Sequence, residues 1–412
     1  NTSFWSAGAS GLAWRTLTIT TLNLSMAFIV WFLVSALVVR LPQIGFKFTP
    51  QQLFWLAAMP GLAGGTLRLV HMFLTPMFGT RLVVSLSTLS LLIPLVGWFY
   101  AVQDPGTPYW MLMLLAFLAG LGGGNFSSFM PSTSLFFPKR LQGTALAIQA
   151  GIGNFGVSIV QFVTPWIIGF ALRGGAACMG ASMTHTKAGV QSQVYLQNAA
   201  AVMIPFSFVF GVSAWLMLKS VPVKANFAQQ FDIFRSRHTW SMTSLYVMTF
   251  GAFSGLAATF PLLIKQIYGG FEGAPDPLAW AFYGPLVGSA ARVVAGPLSD
   301  KLGGARVTHW AGLGMLASTV WVTTLTSPTG LDSFPMFVAG MLTMFFFAGV
   351  GNASTFKQMP MLFEPRQAGG VIGFTAAIAA YGPFLFGMLF AASFGAFKSA
   401  TTVFYGLAAF FP

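Results

Sequence analysis

Long apolar segments recur along the whole chain, and they constrain its fold more than any other feature of the sequence. Each holds roughly 20 mostly apolar residues, the length that an α-helix needs to cross the hydrocarbon core of a bilayer. In lipid the backbone must satisfy its own hydrogen bonds, so such segments fold as helices. The expected fold class is therefore an all-α integral membrane protein. We predict twelve transmembrane helices, at residues 16–39, 52–75, 82–101, 109–135, 142–172, 197–218, 239–264, 278–299, 306–326, 334–362, 367–391 and 396–412.

Charged residues are scarce. Asp, Glu, Lys and Arg make up 7% of the chain, against about a quarter of an ordinary soluble domain. A net charge of +13 would suggest nucleic acid in a soluble protein, but here most basic residues are expected to be topology signals in loops. With Cys178 as its single cysteine and only four histidines, the chain lacks the residues for a disulfide, an iron–sulfur cluster or a multi-cysteine zinc site. We expect no cofactor, no metal, no catalytic residue and no nucleic-acid partner, hence not an enzyme.

Two stretches of the first half of the sequence are repeated in the second half. AGLGGGNFSSFMP at 119–131 pairs with AGVGNASTFKQMP at 348–360, and RLQGTALAIQAGIGNFG at 140–156 pairs with RQAGGVIGFTAAIAAYG at 366–382. Matched Arg, Gly and Pro positions in the same order make chance similarity a poor explanation, and internal repeats are common in transporters. We predict two six-helix bundles, residues 1–218 and 239–412, joined by a cytoplasmic linker at residues 219–238.

Basic residues are distributed unevenly between alternate loops. If the N-terminus is inside, eleven of the 20 Lys and Arg residues fall in inside loops and six in outside loops. Cytoplasmic loops carry such an excess. The bias predicts a multi-pass protein of the cell (inner) membrane with both termini in the cytoplasm.

Three basic residues fall within predicted spans: Arg68, Arg292 and Lys357. Arg68 and Arg292 belong to the repeat, since each precedes a loop glycine, Gly79 or Gly303, by eleven residues. Intramembrane ionisable residues normally face the bundle interior and mark a ligand or ion pathway. All seven carboxylates fall in loops, so the neutralising charge is expected to arrive as a ligand.

The planar guanidinium fork suits small planar oxyanions, which a Lys ammonium does not match. Carboxylate, nitrate and nitrite would all fit between Arg68 and Arg292. The alternative for each arginine is snorkelling to the membrane surface or pairing with helix-end carbonyls. Arg68 precedes Arg81 by thirteen residues, ~20 Å along a helix, which is too deep for easy snorkelling.

Lys357 and His71 each allow two interpretations. Lys357 lies two residues before Met359, and either joins the two arginines as a third basic residue or faces the cytoplasm. His71 follows Arg68 by three residues and is either a hydrogen-bonded interior residue or a proton carrier. Asn154 lies among closely spaced glycines, where a buried amide needs a hydrogen-bond partner. That partner is either a ligand or a backbone group.

The segment after the eighth span resembles the loop motif of the major facilitator superfamily. It reads GPLSDKLGGAR from Gly296 to Arg306, and its counterpart at Pro76 to Arg81 has lost the acid. The resemblance implies the major facilitator fold, with the motif locking the cytoplasmic ends of helices. Its conformational residues would be Gly296, Asp300, Lys301, Gly303 and Arg306.

AGIGNFGVSIVQ at 150–161 and GGVIGFTAAIAAYGP at 369–383 are similar to the paired nitrate signatures of the NarK-type nitrate/nitrite porter family. GNFSSFMPSTSLFFPKRLQG at 124–143 and LYVMTFGAFSG at 245–255 resemble that family too. The resemblance implies that Arg68 and Arg292 clamp nitrate from both halves. It further implies a hydrogen bond from Asn154, close approach at Gly123, and aromatic walls made by Phe28, Phe126, Tyr246 and Phe250.

These observations predict a monomeric transporter with one anion site near mid-membrane and alternating access by rocking of the halves. Uptake of an anion against an inside-negative potential costs about 2.3 kcal/mol per charge per 100 mV, so net uptake needs co-transported cations. Lys357, in GNASTFKQMP, resembles the branch of proton-coupled nitrate uptake systems, which we favour. The alternatives are nitrate/nitrite exchange without protons, a passive anion channel, and a non-transporting anchor or sensor.

Overall fold

The computed structural model describes residues 8–170, 180, 182–187, 190–220 and 232–411. Within helices and strands, it does not describe the side chains of residues 139, 140, 142, 143, 186, 187, 190, 300, 360, 365, 366, 368 and 369. Cys178 and residues 221–231 of the predicted linker lie outside the described residues.

The described chain is helical apart from one hairpin, which confirms the expected all-α membrane fold. Each predicted span corresponds to a helix, and some helices contain a short break. The helices are α1 (Ser10–Leu37), α2 (Pro50–Phe78), α3 (Thr80–Leu89 and Leu92–Ala101), α4 (Tyr109–Ala119, Leu121–Gly124 and Phe126–Ser134), α5 (Lys139–Ile167), α6 (Asn198–Ala201 and Met203–Met217), α7 (Arg237–Tyr246, Val247–Gly251 and Ala252–Tyr268), α8 (Pro277–Ala281 and Tyr283–Leu302), α9 (Gly304–Thr323), α10 (Phe334–Leu362), α11 (Pro365–Ala379 and Gly382–Phe397) and α12 (Thr401–Phe410).

Within the described residues, ten helical segments are long and apolar enough to cross a membrane. The two others are α9, a 20-residue helix, and α12, a 10-residue helix. An antiparallel hairpin of β1 (Met183–Lys187) and β2 (Val190–Val194) lies between α5 and α6, with Met183 opposite Val194. The hydropathy pattern, which places residues 173–196 between two spans, does not predict this hairpin.

The repeat predicted from the sequence appears in the backbone. Gly79 ends α2 with φ 79° and ψ 161°, and Gly303 ends α8 with φ 88° and ψ 127°. Both glycines adopt positive φ, which side-chain-bearing residues avoid. Gly122 of α4 packs on Ala27 of α1, and Gly351 of α10 packs on Thr249 of α7. Equivalent helices therefore meet at equivalent positions.

We call α1–α6 the N half and α7–α12 the C half. The hairpin end of the bundle carries β1–β2 and the α1–α2 and α7–α8 connections, and the turn end carries the α2–α3 and α8–α9 turns. The halves pack closely where Gly61 of α2 meets Pro383 of α11, and where Gly151 of α5 meets Val293 of α8. The two Arg-bearing helices, α2 and α8, both take part in this interface.

Candidate functional site

Arg68 lies in the interior of α2 and is fully buried, with 0% of its surface exposed. Its Nε donates to the carbonyl oxygen of Gly123 on α4 at 2.8 Å, and its Nη1 donates to the carbonyl of Ala376 on α11, also at 2.8 Å. Its Nη2 has no partner among the described residues. Arg68 thus connects the N half to the C half and keeps Nη2 available as a donor.

Three aromatic rings surround the Arg68 guanidinium. The Cζ atom lies 4.7 Å from the ring centroid of Phe126, 5.1 Å from that of Trp31 and 5.2 Å from that of Phe250. Cation–π contacts of this kind stabilise a cation that has lost its water. The rings hold the guanidinium in place without neutralising it.

Arg292 occupies the equivalent position in α8 and is 5% exposed. Its Nη2 donates to the hydroxyl of Tyr246 on α7 at 3.3 Å, and its Cζ lies 5.6 Å from the ring centroid of Phe356 on α10. Its Nη1 has no partner among the described residues. Each half therefore contributes one buried guanidinium with at least one unpartnered nitrogen.

No described carboxylate lies within ion-pair distance of either guanidinium. The ion pair found among the described side chains joins Arg40 to Asp276, at the hairpin end. Arg68 and Arg292 are close enough to repel each other. An uncompensated buried charge is costly, so this pair of cations favours binding of an anion between them.

The aromatic residues predicted for the site are brought together. Tyr246 stacks on Phe250 at 5.3 Å between ring centroids, and Phe250 stacks on Phe126 at 6.5 Å. Phe28 packs edge-on against Phe126 at 6.4 Å and touches neither guanidinium directly. A π-helical turn at Val247–Gly251 directly follows Tyr246 and contains Phe250. Such turns often occur at functional sites because they reorient side chains.

Gly123 and Asn154 are both predicted site residues, but their surroundings in the structure differ. A Cβ atom at Gly123 would lie 2.7 Å from Gly64 Cα and 2.7 Å from the Trp31 ring, so α2 and α4 require a glycine there. Asn154 is 0% exposed, and both its amide atoms lack a partner among the described residues. It is hydrogen-bonded to neither Arg68 nor Arg292.

Lys357 and His71 lie on the same helices as residues of the site, and neither is hydrogen-bonded to a described guanidinium atom. Lys357 Nζ donates to the carbonyl of Gly296 at 3.3 Å, one helical turn beyond Arg292, and its side chain is partly exposed. His71 is buried, and its Nδ1 is hydrogen-bonded to Ser128 Oγ at 2.9 Å. Neither hydrogen bond crosses between the halves: the Lys357 bond lies in the C half and the His71 bond in the N half.

The loop motif lies at the turn end. Lys301 and Arg306 are exposed, and Gly303 makes the turn between α8 and α9. The side chain of Asp300 lies outside the described residues. Gly296 lies inside α8, where its carbonyl accepts the bond from Lys357.

The interface between the halves is closed at the hairpin end. Arg40 of the N half pairs with Asp276 of the C half at 2.6 Å, and Lys265 Nζ donates to the carbonyl of Val39 at 2.5 Å. Nearer the site, Gln161 of α5 donates to the carbonyl of Ala257 on α7 at 2.8 Å.

Towards the turn end, a cavity of about 190 Å³ lies between the halves. Its lining includes Phe126 and Met72 from the N half and Phe356 and Ala376 from the C half. The site thus has a cavity on its turn side. On its hairpin side, an ion pair and hydrogen bonds hold the two halves together.

Several residues of the site are not predicted from the sequence. Trp31 follows Phe28 by three residues on α1, and that helical spacing was an available signal. Phe356 precedes Lys357, but nothing distinguishes it from the other 43 phenylalanines of the chain. The carbonyl of Ala376 has no signature in the sequence at all.

The fold and the site define a secondary transporter built from two repeated bundles around a buried cationic site. A model of the Major Facilitator Superfamily matches residues 19–330. The chain therefore belongs to the major facilitator superfamily, a superfamily of transporters and not of enzymes. Within it, the chain belongs to the NarK-type family, as its relatives show.

The chain is 65% identical over 401 residues to the probable nitrate/nitrite antiporter NarK2 of Thermus thermophilus, covering 97% of this chain and 90% of that relative. It is 36% identical over 420 residues to the nitrate/nitrite transporter NarU of Escherichia coli (strain K12), covering 95% and 88%. Among solved structures, a bacterial homologue of the human lysosomal transporter Spinster, inward-facing and unoccupied, matches with a TM-score of 0.67 at 15% identity, covering 94% and 83%. That likeness concerns the fold alone.

Proposed function

We propose that the protein carries nitrate and nitrite across the cell membrane by alternating access at a single site between Arg68 and Arg292. The observation that carries this proposal is the pair of buried guanidiniums, one from each half, each with an unpartnered nitrogen and without a described carboxylate as counter-ion. An anion entering the site would accept hydrogen bonds from both guanidiniums and compensate their charge.

The shape of the site suits a small planar oxyanion. Guanidinium forks donate in a plane, and the stacked rings of Tyr246, Phe250 and Phe126 offer flat apolar walls. Nitrate and nitrite are planar and have acceptor atoms at their edges. The substrates named for the relatives, 65% and 36% identical to this chain, have this chemistry.

Rocking of the halves would expose the site alternately to the two ends of the bundle. We propose that the turn end, where Lys301 and Arg306 are exposed, faces the cytoplasm, since basic residues concentrate on that side. Both termini would then be cytoplasmic, in a monomer whose two halves are residues 1–218 and 239–412. The closed hairpin end would face outward.

The coupling follows from the repulsion between the guanidiniums. An anion neutralises part of that repulsion and so favours the closing of the site, whereas an empty site resists closing. Exchange of one anion for another is therefore the mode that the geometry supports best, and the relative at 65% identity bears the name of an antiporter. Proton-coupled uptake, the mode favoured from the sequence, stays a prediction and is the alternative that the vesicle experiment separates from exchange.

Conservative replacement of the arginines tests the proposal. Arg68→Lys and Arg292→Lys keep the charge but lose the planar fork, and each should reduce nitrate binding by at least tenfold, the loss of one charge-assisted hydrogen bond. Binding is measured by calorimetry on purified protein. The matched control is Arg306→Lys, an exposed residue at the turn end, which should bind normally. Normal binding by both interior variants would overturn the proposal.

Proteoliposomes separate the two modes of coupling. Vesicles preloaded with nitrite should take up labelled nitrate without a pH gradient, and empty vesicles with an inward proton gradient should not accumulate it. Accumulation in the empty vesicles would establish proton symport instead. Large currents without saturation would indicate a passive channel.

A further inference from the structure

A third type of buried group accompanies the arginines and the aromatic rings. Among the described side chains, three amides are at least 99% buried and have no partner on either amide atom: Asn125, Asn154 and Asn352. An unsatisfied buried amide loses its hydrogen bonds to water without compensation. Asn154 belongs to the site predicted above, so the two amides whose role is still unexplained are Asn125 and Asn352.

Two contacts between α8 and α10 fix the depth of Asn352. Gly349 of α10 packs against the carbonyl of Gly288 on α8, and further along the same pair of helices Lys357 Nζ bonds to the carbonyl of Gly296. Asn352 lies between the two contacts on α10, and Arg292 lies between them on α8. The backbone positions of Asn352 and Arg292 are therefore level to within about one helical turn.

The direction of Asn352 follows from Phe356, its neighbour one turn along the same face of α10. The ring of Phe356 lies 5.8 Å from that of Tyr246 and 6.4 Å from that of Phe126, centroid to centroid, so this face of α10 borders the site. Lys357, one residue and ~100° further round the helix, is directed elsewhere.

The internal repeat supports the same location. In the pairing of the two repeated stretches, Asn352 corresponds to Gly123, whose carbonyl accepts the bond from Arg68 Nε. The N half thus presents a backbone group beside its arginine at the position where the C half presents an amide. Ser289, on α8 one turn before Arg292, adds another fully buried hydroxyl without a described partner.

We propose that Asn352 is a further substrate-binding residue, which donates from Nδ2 to an oxygen of the bound oxyanion. Its Oδ1 then faces the Arg292 side of the site, where guanidinium N–H groups are available as donors. This inference rests on the proposed function and extends it: each half contributes one arginine and one amide, Arg68 with Asn154 and Arg292 with Asn352.

Replacement of the amide tests the inference. A hydrogen bond to a charged ligand contributes enough that its removal weakens binding about tenfold or more. Asn352→Ala should therefore raise the nitrate dissociation constant by at least about tenfold, measured by calorimetry on the purified full chain. The nitrate-induced rise of Tm should shrink in parallel.

Asn125 provides the matched control. It is as deeply buried and as unpartnered as Asn352, but it lies two residues, ~200°, from Gly123 and so on the far side of α4 from the Arg68 contact. Asn125→Ala removes the same atoms without touching the site and should bind nitrate as the parent does. Equal weakening in both variants would mean general loosening of the protein and would overturn the inference.

A second variant covers the case in which Asn352→Ala does not fold. Asn352→Asp preserves the shape, removes the donor and places a carboxylate beside Arg292. It should lose nitrate binding, while the Tm without nitrate rises because Arg292 gains a counter-charge. Normal nitrate binding in Asn352→Asp or Asn352→Ala contradicts the role of Asn352 alone. Absence of nitrate binding in the parent protein contradicts the proposed function itself.

Discussion

The hydroxyl of Tyr246 is the hydrogen-bond acceptor for Arg292, at 3.3 Å from Nη2. Removal of this oxygen leaves Nη2 without its partner and loses the contact that orients the fork. Tyr246→Phe should raise the KM for nitrate several-fold, about the effect of one hydrogen bond to a charged group. The ring still stacks on Phe250, so the Tm should change little. Uptake kinetics in proteoliposomes measure the effect.

Tyr268 supplies the control for that substitution. It is a buried tyrosine of the same helix, and its hydroxyl bonds to the Leu325 carbonyl at 3.1 Å, near the hairpin end and away from the arginines. Tyr268→Phe should leave the nitrate KM unchanged. A similar rise of KM in both variants would show that the Tyr246 hydroxyl has no special role in the site.

His71 bears on the question of proton coupling. Its Nδ1 bonds to Ser128 Oγ at 2.9 Å, and the neighbouring Thr75 donates to the Ser128 carbonyl at 2.9 Å. This polar chain joins α2 to α4 within the N half, so it has a structural role that an amide can fill. His71→Asn should therefore retain nitrate transport with an unchanged dependence on external pH. Uptake measured between pH 5.5 and 8 tests this, and a flattened pH profile would identify His71 as the proton carrier.

The sequence revealed the arginines of the site more readily than its apolar members. Arg68 and Arg292 stand out because a charge inside a span is expensive and because the seven acids all fall in loops. Trp31 and Phe356 do not stand out. In a membrane protein both the lipid-facing and the interior surfaces are apolar. The presence of an aromatic residue in a span therefore does not show whether its side chain faces the lipid or the interior. The prediction of Phe28 as a wall of the site rested on family resemblance.

At the scale of helices, the spans were predicted well and their ends less well. Helix α7 runs from Arg237 to Tyr268, beyond the predicted 239–264, because a helix continues through polar residues at the membrane surface that hydropathy excludes. The break in α11 between Ala379 and Gly382 was not predicted. The repeat in the sequence predicted that Gly79 and Gly303 are equivalent. A turn that needs positive φ requires glycine in both halves.

Gly303 and Gly296 form a matched pair for testing whether positive φ is the reason for a glycine in the turn. A Cβ atom would meet nothing within 4 Å at either position, but Gly303 has a φ of +88° whereas Gly296 lies within α8. Gly303→Ala should therefore destabilise the protein by about 1–3 kcal/mol through backbone strain alone. Gly296→Ala should be neutral or stabilising, because alanine favours the helix. Thermal unfolding in detergent measures both, and an equal fall of Tm would rule out backbone conformation as the cause.

At the scale of the whole molecule, the contacts between halves are asymmetric. The hairpin end carries an ion pair and a charged hydrogen bond across the interface, from Arg40 to Asp276 and from Lys265 to Val39. The turn side of the site has the bond from Arg68 to Ala376 and the cavity of about 190 Å³. Opening of the hairpin end therefore requires the loss of charged contacts that lie outside the anion site.

The pair of Arg40 and Asp276 is well placed to control this opening. Arg40 has a side-chain exposure of 6%, and that of Asp276 is 26%, so water screens their attraction less than at a free surface. Asp276→Asn should shift the population towards molecules open at the hairpin end. A change of only ~1 kcal/mol alters such an equilibrium by about fivefold. The anion site itself is untouched by the substitution.

Spin labels report the shift directly. With Cys178→Ser as background, labels at Lys47→Cys in the N half and Ser327→Cys in the C half occupy exposed positions at the hairpin end. Electron–electron distance measurements should show a larger long-distance population in Asp276→Asn than in the parent. The control is Asp332→Asn, which removes an exposed acid at the same end and no contact between the halves. Because both variants lose one negative charge, an effect confined to Asp276→Asn comes from the contacts of Asp276 and not from net charge. The cap on Leu278 N–H can be kept by the Asn side-chain oxygen, whereas the ion pair with Arg40 is lost. Identical distance distributions in all three proteins would mean that other contacts keep the hairpin end closed.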